Sequence, residues 1–386
     1  MGASRQLLVD LSVLVHQDDQ TGIQRVVRNL HQELQAAAPE GWQLAGVYDA
    51  GGYYAYADRL APAAAPAAIQ VRRGDIFLGL DLCPDQVPAN RAVFEDLRRH
   101  GVRICFVVYD LLPLQLPQMF AAGATPWFAR WLDSAAGAAD SLLCISRAVA
   151  DDLLARLEAH PVRHPGLLRI DHFPLGADLT ADPAAELTLS ADEAATLAAL
   201  QDGPSLLMVG TLEPRKMHAQ VLAAFDQLWH DQPTLRLVIV GKAGWMTPEL
   251  LAHLEHHPQL GQRLFWLRHA SDAGLLRLYR ECSGLLAASV GEGYGLPLIE
   301  AAHHGLPILA RDLPVFREVC GDHASYFSGD ADDLAAAVRQ WLAQRQAGAL
   351  PDSAAIGAPS WADSARALLA RLLAPAGGVI APTLLP

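Results

Sequence analysis

Cysteine is scarce in this chain and unpaired by spacing. Cys83, Cys105, Cys144, Cys282 and Cys320 are the five in 386 residues, and no two stand close together. That scatter fits buried free thiols in a reducing compartment better than a disulfide-stapled scaffold or a zinc site. Long apolar runs are missing too: none reaches the roughly 20 residues of a membrane span. No signal-peptide pattern precedes Leu7, so the expected location is cytoplasmic. Basic charge is in deficit, with 29 Lys and Arg against 42 Asp and Glu and a formal net charge of -13. A general nucleic-acid binder carries a basic face, so this balance argues against that class, and no nucleic-acid partner is expected. An anionic ligand would have to be held by local cations and backbone dipoles against the overall field. There is no dense polybasic helix, although peripheral contact with the inner membrane stays open. No Gly-x-Gly-x-x-Gly follows the first predicted strand, residues 6–10, which counts against a dehydrogenase.

What is present is an ordinary globular composition, 52% hydrophobic and 18% charged, in a chain long enough for two domains. In the first half, strands are predicted at 6–10, 75–80, 102–108, 141–145 and 170–173. Residues 11–20 and the Ala/Pro-rich 61–68 read as loops, and 111–120, with its two prolines, reads as irregular. From Gly22, the residues Ile23, Val26, Val27, Leu30 and Leu34 recur at helical spacing, with Thr21 as a plausible cap. Further helices are predicted at 89–100, 127–138 and 148–157, the last capped by Ser146. Residues 180–203 read as a connection with room for a short helix. Strands then follow at 206–209, 235–240, 264–267, 285–288 and 307–309, with helices between them, at 330–344 and at 361–373. The last residues, 377–386, lack any core-forming period and are expected to be mobile. Alternating strands and helices in both halves imply two doubly wound parallel sheets, an α/β fold. No internal repeat of fixed period is found. His253, His256 and His257 cluster without a carboxylate–histidine signature and read as a solvated helix end rather than a metal site.

Two stretches carry chemistry. Residues 284–300, GLLAASVGEGYGLPLIE, join a short apolar strand to a helix through Gly291, Gly293 and Gly295. Strand, glycine loop and helix start direct backbone N–H groups and a positive helix end at an anion, most often phosphate. A tight turn with glycines serving only backbone geometry is the competing reading. Glu292 and Glu300 bracket the loop, placed to accept hydrogen bonds from sugar hydroxyls. The second stretch is Val209-Gly210-Thr211-Leu212-Glu213-Pro214-Arg215-Lys216, in which a strand delivers a Gly-Thr turn and two adjacent cations. In isolation these could be solvated charges on a surface turn.

Together, EGYGLPLIEA and GTLEPRK resemble the donor-site motifs of retaining glycosyltransferases of the GT-B fold, family 4, and the resemblance extends over nearly the whole chain. It implies two facing Rossmann-like domains with a cleft between them. The N-terminal domain (1–178) would meet the acceptor and the C-terminal domain (179–355) the nucleotide-sugar donor. A terminal helix (356–376) headed by Trp361 would cross back to the N-terminal domain. By resemblance, Arg215 and Lys216 grip the donor diphosphate, Glu292 contacts donor sugar hydroxyls and Glu300 the ribose. Gly293, Tyr294, Gly295 and Leu296 offer backbone N–H groups. Gly210 and Thr211 form the turn beneath. Residues 266–270, with Trp266, Leu267 and Arg268, receive the base. Gly22 approaches the phosphates from the other domain. Asp110 stands where the family commonly has a polar residue, often His, near the reacting centre. Aspartate there departs from that pattern and leaves the role of the position open.

The reaction implied is transfer of a hexose, with retention, from a nucleotide diphosphate sugar to a hydroxyl of a glycan or lipid-linked glycan. The family works without metal, and no Asp-x-Asp triplet stands at the end of a predicted strand. TGIQRVVRNL, YDLLPL and GTLEPRK together are similar to bacterial polysaccharide mannosyltransferases, which favours GDP-mannose over a UDP-hexose or a dTDP-deoxysugar. A nucleotide-sugar epimerase and a non-catalytic sugar-nucleotide-binding protein are the readings from other classes.

Overall fold

Runs such as Leu206-Leu207-Met208 and Leu237-Val238-Ile239 are buried on both faces, which is why they read as continuous apolar segments and not as alternation. They form strands of parallel sheets in a computed structural model that describes residues 4–19, 21–178, 189–374, 378–381 and 383–384. The chain divides into two compact units, Met1–Pro117 with Ala122–Gly176 and Pro359–Pro386, and Gln118–Ala121 with Ala177–Ala358.

The first unit contains β1 (Arg5–Asp10), β2 (Trp42–Asp49), β3 (Tyr54–Asp58), β4 (Ala61–Pro62), β5 (Ile76–Gly79), β6 (Arg103–Val108), β7 (Ser141–Cys144), β8 (Val162–Arg163) and β9 (Leu168–His172). The second contains β10 (Ser205–Val209), β11 (Arg236–Val240), β12 (Leu264–Leu267), β13 (Gly284–Ala287), β14 (Ile308–Arg311) and β15 (Ser325–Phe327). The chain end returns β16 (Val379–Ala381) and β17 (Thr383–Leu384) to the first unit. Its main sheet has the order β16-β9-β7-β6-β5-β1-β2-β3-β4, parallel from β9 to β2. The second unit's order, β12-β11-β10-β13-β14-β15, is parallel throughout. In each sheet the strand order reverses once, between β1 and β5 and between β10 and β13. Open α/β sheets bind ligands beyond the carboxyl ends of the strands at such a reversal.

The helix Gly22–Ala36 forms as its spacing predicts. Thr21 accepts from Gln24 N–H, the Gln24 side chain returns the bond, and Val26, Val27, Leu30 and Leu34 are buried. Against it packs the helix Trp361–Leu373, capped by Ser360 with Asp363. Leu369 and Leu372 meet Leu7 and Leu34 in one apolar seam. All five cysteines are free and buried, and among the described residues no helix is long and apolar enough to cross a membrane.

Several expectations need correction. The first sheet is not purely parallel, because β3, β4 and β16 run antiparallel to their neighbours. Ala61–Pro62, expected as loop, is the small edge strand β4. Residues 11–20 include the helical turn Ser12–His16, while Gln20 lies outside the described residues. Residues 111–120, expected as irregular, include the helical turn Leu112–Gln115 and a 3-10 turn, Pro117–Met119, since prolines at the first positions of a turn cost no hydrogen bond. The tail expected to be mobile pairs instead. Val379 to Ala381 lie against Ile170 to Leu168, and Thr383 and Leu384 against Val162 and Arg163, so backbone pairing orders a segment with no sequence period. The connection at 180–203 lies outside the described residues up to 188, and the short helix allowed for in it is Ala191–Ala199, as expected. An Asp-x-Asp triplet does follow an unforeseen strand, β15: Asp330-Ala331-Asp332. Asp330 there caps the helix Ala331–Gln346, accepting from Asp332 and Asp333 N–H.

Candidate functional site

The second unit's two chemical stretches follow β10 and β13, the strands at its reversal, and so are neighbours at their carboxyl ends. After β10 the backbone turns at Gly210, whose φ of +141° is open to glycine, and whose missing Cβ leaves room for the Lys216 stem. Gly210 N–H bonds to Val240 C=O and Gly241 N–H to Leu267 C=O, which ties the ends of β10, β11 and β12 together. Arg215 and Lys216 sit in the 3-10 turn Pro214–Lys216, ahead of the helix His218–Asp231. After β13 the loop returns through Gly295, φ +102°, which heads the helix Leu296–His303.

The two loops are fastened to each other. Val290 N–H donates to Arg215 C=O and Arg215 Nη1 to Gly291 C=O, each at 2.9 Å. Glu292 binds both cations: Oε2 lies 2.9 Å from Arg215 Nη1, and Oε1 2.5 Å from Lys216 Nζ. Ser289 Oγ–H also donates to Oε1 at 2.7 Å, and Arg215 reaches back to Glu213. Burial alone would push the Glu292 carboxyl up. The two cations outweigh it and hold the group down at about 2, so it is ionised at neutral pH. A carboxylate has about four lone-pair directions. Three are occupied here, which leaves an acceptor for a hydroxyl from outside.

His218 opens the helix behind Lys216. It is buried, and its Nδ1 has no partner among the described residues. Burial, helped by the Lys216 charge, lowers it to about 3, so it is neutral. With Lys216 and Glu292 it lines a cavity of about 20 Å³, enough for one water molecule.

The other predicted residues of this unit stand as follows. Thr211 lies in the turn after Gly210, and Gly293 and Tyr294 lie between Glu292 and Gly295. Glu300 is buried in the helix Leu296–His303, accepting from the Tyr279 hydroxyl. Trp266 and Leu267 end β12. Trp266 Nε1–H donates to Gly241 C=O, and the Arg268 guanidinium lies 4.2 Å over the Trp266 ring, tethered to Glu255. Gly22 and Asp110 belong to the first unit, Gly22 at the start of its helix and Asp110 just beyond β6 with Oδ1 accepting from Leu112 N–H. In that unit the sequence reading missed a buried carboxyl pair at the reversal. Asp10 ends β1 and Asp81 follows β5. Asp10 accepts from Ser12 and Tyr54, and Asp81 from Leu14 N–H. Burial raises Asp10 to about 7 and Asp81 to about 6. Strand-end position was the available signal, since both follow apolar strands.

The histidine cluster differs from its expected form. His257 is buried, and Asp226, from the helix His218–Asp231, supplies the carboxylate that local sequence lacked. Yet His257 Nδ1 accepts from Gln259 N–H, so Nε2 carries the proton and donates to Asp226 at 3.0 Å. Both ring nitrogens are engaged, which leaves no lone pair for a metal in this arrangement.

A doubly wound second sheet with cations and an ionised carboxylate at its reversal stands where open α/β sheets bind their ligands. Residues 192–356 match the family Glycosyl transferases group 1, and the chain has the GT-B fold. The chain is 42% identical to the serotype-specific mannosyltransferase WbdA of Escherichia coli over 97% of its own length and 47% of that protein. It thus spans about half the length of the curated relatives it matches most fully. Two solved structures share the fold. Anabaena Alr3699/HepE, in complex with UDP and glucose, has a TM-score of 0.60 at 14% identity, covering 95% of both chains. Sucrose-phosphate synthase from Thermosynechococcus elongatus has a TM-score of 0.63 at 17% identity, covering 96% of this chain and 99% of that one.

Proposed function

We propose that this chain is a retaining, metal-independent mannosyltransferase that moves mannose from GDP-mannose to a hydroxyl of a glycan or lipid-linked glycan in surface polysaccharide synthesis, on the cytoplasmic side. The similarity to WbdA supports the sugar, and the Arg215–Lys216–Glu292 network is the observation that carries the chemistry. As the bond from the anomeric carbon to the diphosphate breaks, negative charge grows on the leaving oxygen. Arg215, Lys216 and the N–H groups of the Gly293–Leu296 turn neutralise it. The acceptor oxygen attacks from the face the diphosphate leaves, and its proton passes to a diphosphate oxygen. Glu292, with its free acceptor direction, orients a donor hydroxyl, Glu300 serves the ribose, and the end of β12 receives the base.

The test is a melting-temperature panel of GDP, UDP, dTDP and ADP with their sugar conjugates, followed by the anomeric configuration of the product. GDP and GDP-mannose should stabilise, by about 2.7 kcal/mol at 100 times Kd. Stabilisation by UDP or dTDP alone overturns the donor, and an inverted product overturns retention.

A further inference from the structure

A second group of cations lies in the first unit, at the other end of its strands. Arg103 opens β6, Asp140 precedes β7 and Arg169 is the second residue of β9. These are amino ends of parallel strands, whereas the principal ligands of open α/β sheets bind beyond the carboxyl ends. Here Arg103, Arg169 and Arg371, the last from the helix Trp361–Leu373, line a cavity of about 230 Å³. That far exceeds the roughly 10–15 Å³ needed for one water by the same measure.

The local bonds leave cationic capacity unused. Arg103 donates to Leu372 C=O, and Arg371 Nε to His172 C=O, with the Asp171 carboxylate 3.3 Å away. Asp140 is turned to Ile104 N–H at 2.8 Å. Among the described residues no hydrogen bond or ion pair engages the Arg169 side chain. A half-buried guanidinium without a partner, beside two more, is an uncommon arrangement in a chain of net charge -13. Apolar side chains border the same face. Leu167 lies two residues from Arg169, and Ile380 of β16 is its cross-strand partner; they are 58% and 50% exposed.

We propose that this cavity is an anion site that takes a phosphate group through Arg169, Arg103 and Arg371, separate from the donor site. Three guanidinium forks match the several oxygens of a phosphate. A free phosphate ester would use the arginines alone, whereas a phospholipid headgroup would also cover Leu167 and Ile380.

The experiment titrates inorganic phosphate calorimetrically into the full chain and into Arg215→Ala, Arg169→Gln and Arg371→Gln, with circular dichroism confirming that each is folded. A parallel arm sediments each protein with vesicles of phosphatidylglycerol or phosphatidylcholine. Phosphate binding should persist in Arg215→Ala and weaken about tenfold or more in Arg169→Gln and in Arg371→Gln, as loss of one charged hydrogen bond does, with Arg169→Lys restoring part of it. Arginine-dependent sedimentation with phosphatidylglycerol only assigns the phosphate to a lipid headgroup, and arginine-dependent binding of free phosphate without it assigns a soluble ester. Absence of both, or binding that is equal in wild type, Arg169→Gln and Arg371→Gln, overturns the site.

Discussion

Glu292 is held by three donors while its two cationic partners are the groups a diphosphate needs, so the residues of this network should fail in different ways. On the proposed reaction, Arg215→Ala or Lys216→Ala removes a charge partner of the departing diphosphate and should lower turnover about 10²-fold or more. Single-turnover rates with the donor identified by the melting panel check this, and unchanged rates in both variants would sink the assignment. Glu292→Ala instead leaves two half-buried cations without their shared carboxylate, and breaking a buried pair from one side costs about 3–5 kcal/mol. Its melting temperature should therefore fall well below that of Glu292→Gln, which keeps an acceptor oxygen for Lys216 and Ser289. Asp10 gives a pH signature. Its carboxyl is raised from 3.8 to about 7, chiefly by burial, with Asp81 adding to the rise. Between those values the folded protein keeps a proton that the unfolded chain has lost. The resulting stability is present below about pH 4 and is lost as pH rises through 7. Asp10→Asn should flatten this fall, seen as a smaller difference in denaturant midpoint between pH 5 and pH 8 than wild type shows.

Among elements, the segment that returns to the first unit depends on close backbone approach. A Cβ added at Gly176 would lie 2.3 Å from Trp361 N and 2.4 Å from Ser360 C, both main chain and unable to rotate away. Gly176→Ala should push the start of the Trp361–Leu373 helix off its seat and cost on the order of 1–3 kcal/mol, as overpacking does. A shift in urea midpoint with unchanged slope would show it. How legible the elements were follows from where their order comes from. The Gly22–Ala36 helix is written in its own apolar spacing and its Thr21–Gln24 cap, and the buried strands of the second unit in their continuous apolar runs. β16 is ordered by backbone pairing with β9, and nothing in Val379-Ile380-Ala381 reveals that partner. The donor loops fall between these cases. Their glycines and charges stand in the sequence, but the closure of Glu292 onto Arg215 and Lys216, with Ser289 and Glu213 as further partners, needs the two strands to be adjacent. So does the Asp226–His257 pair, whose members are 31 residues apart.

At the scale of the whole molecule, the relevant quantity is the contrast between a strongly acidic protein and an anionic ligand. Around the donor loops the charges of Arg215 and Lys216 are balanced by Glu213 and Glu292. On the proposed function, a nucleotide diphosphate sugar approaching from solvent finds these two cations already neutralised by carboxylates, and the long-range field it feels is set by the net charge of -13. Mobile ions screen that field over about 30 Å at 0.01 M and 8 Å at 0.15 M ionic strength. Contacts made after docking, at hydrogen-bond distance and partly buried, are screened much less. Repulsion at long range should then weaken with salt faster than attraction at short range. The association rate of the donor should rise between 0.01 and 0.15 M salt, whereas a protein with a basic entrance would show a fall. Stopped-flow binding of a fluorescent GDP analogue across that range measures it. A rate that drops steeply with salt would mean that an uncompensated cationic surface guides the donor, and the balanced Arg215–Lys216–Glu213–Glu292 set would no longer account for how the ligand is captured.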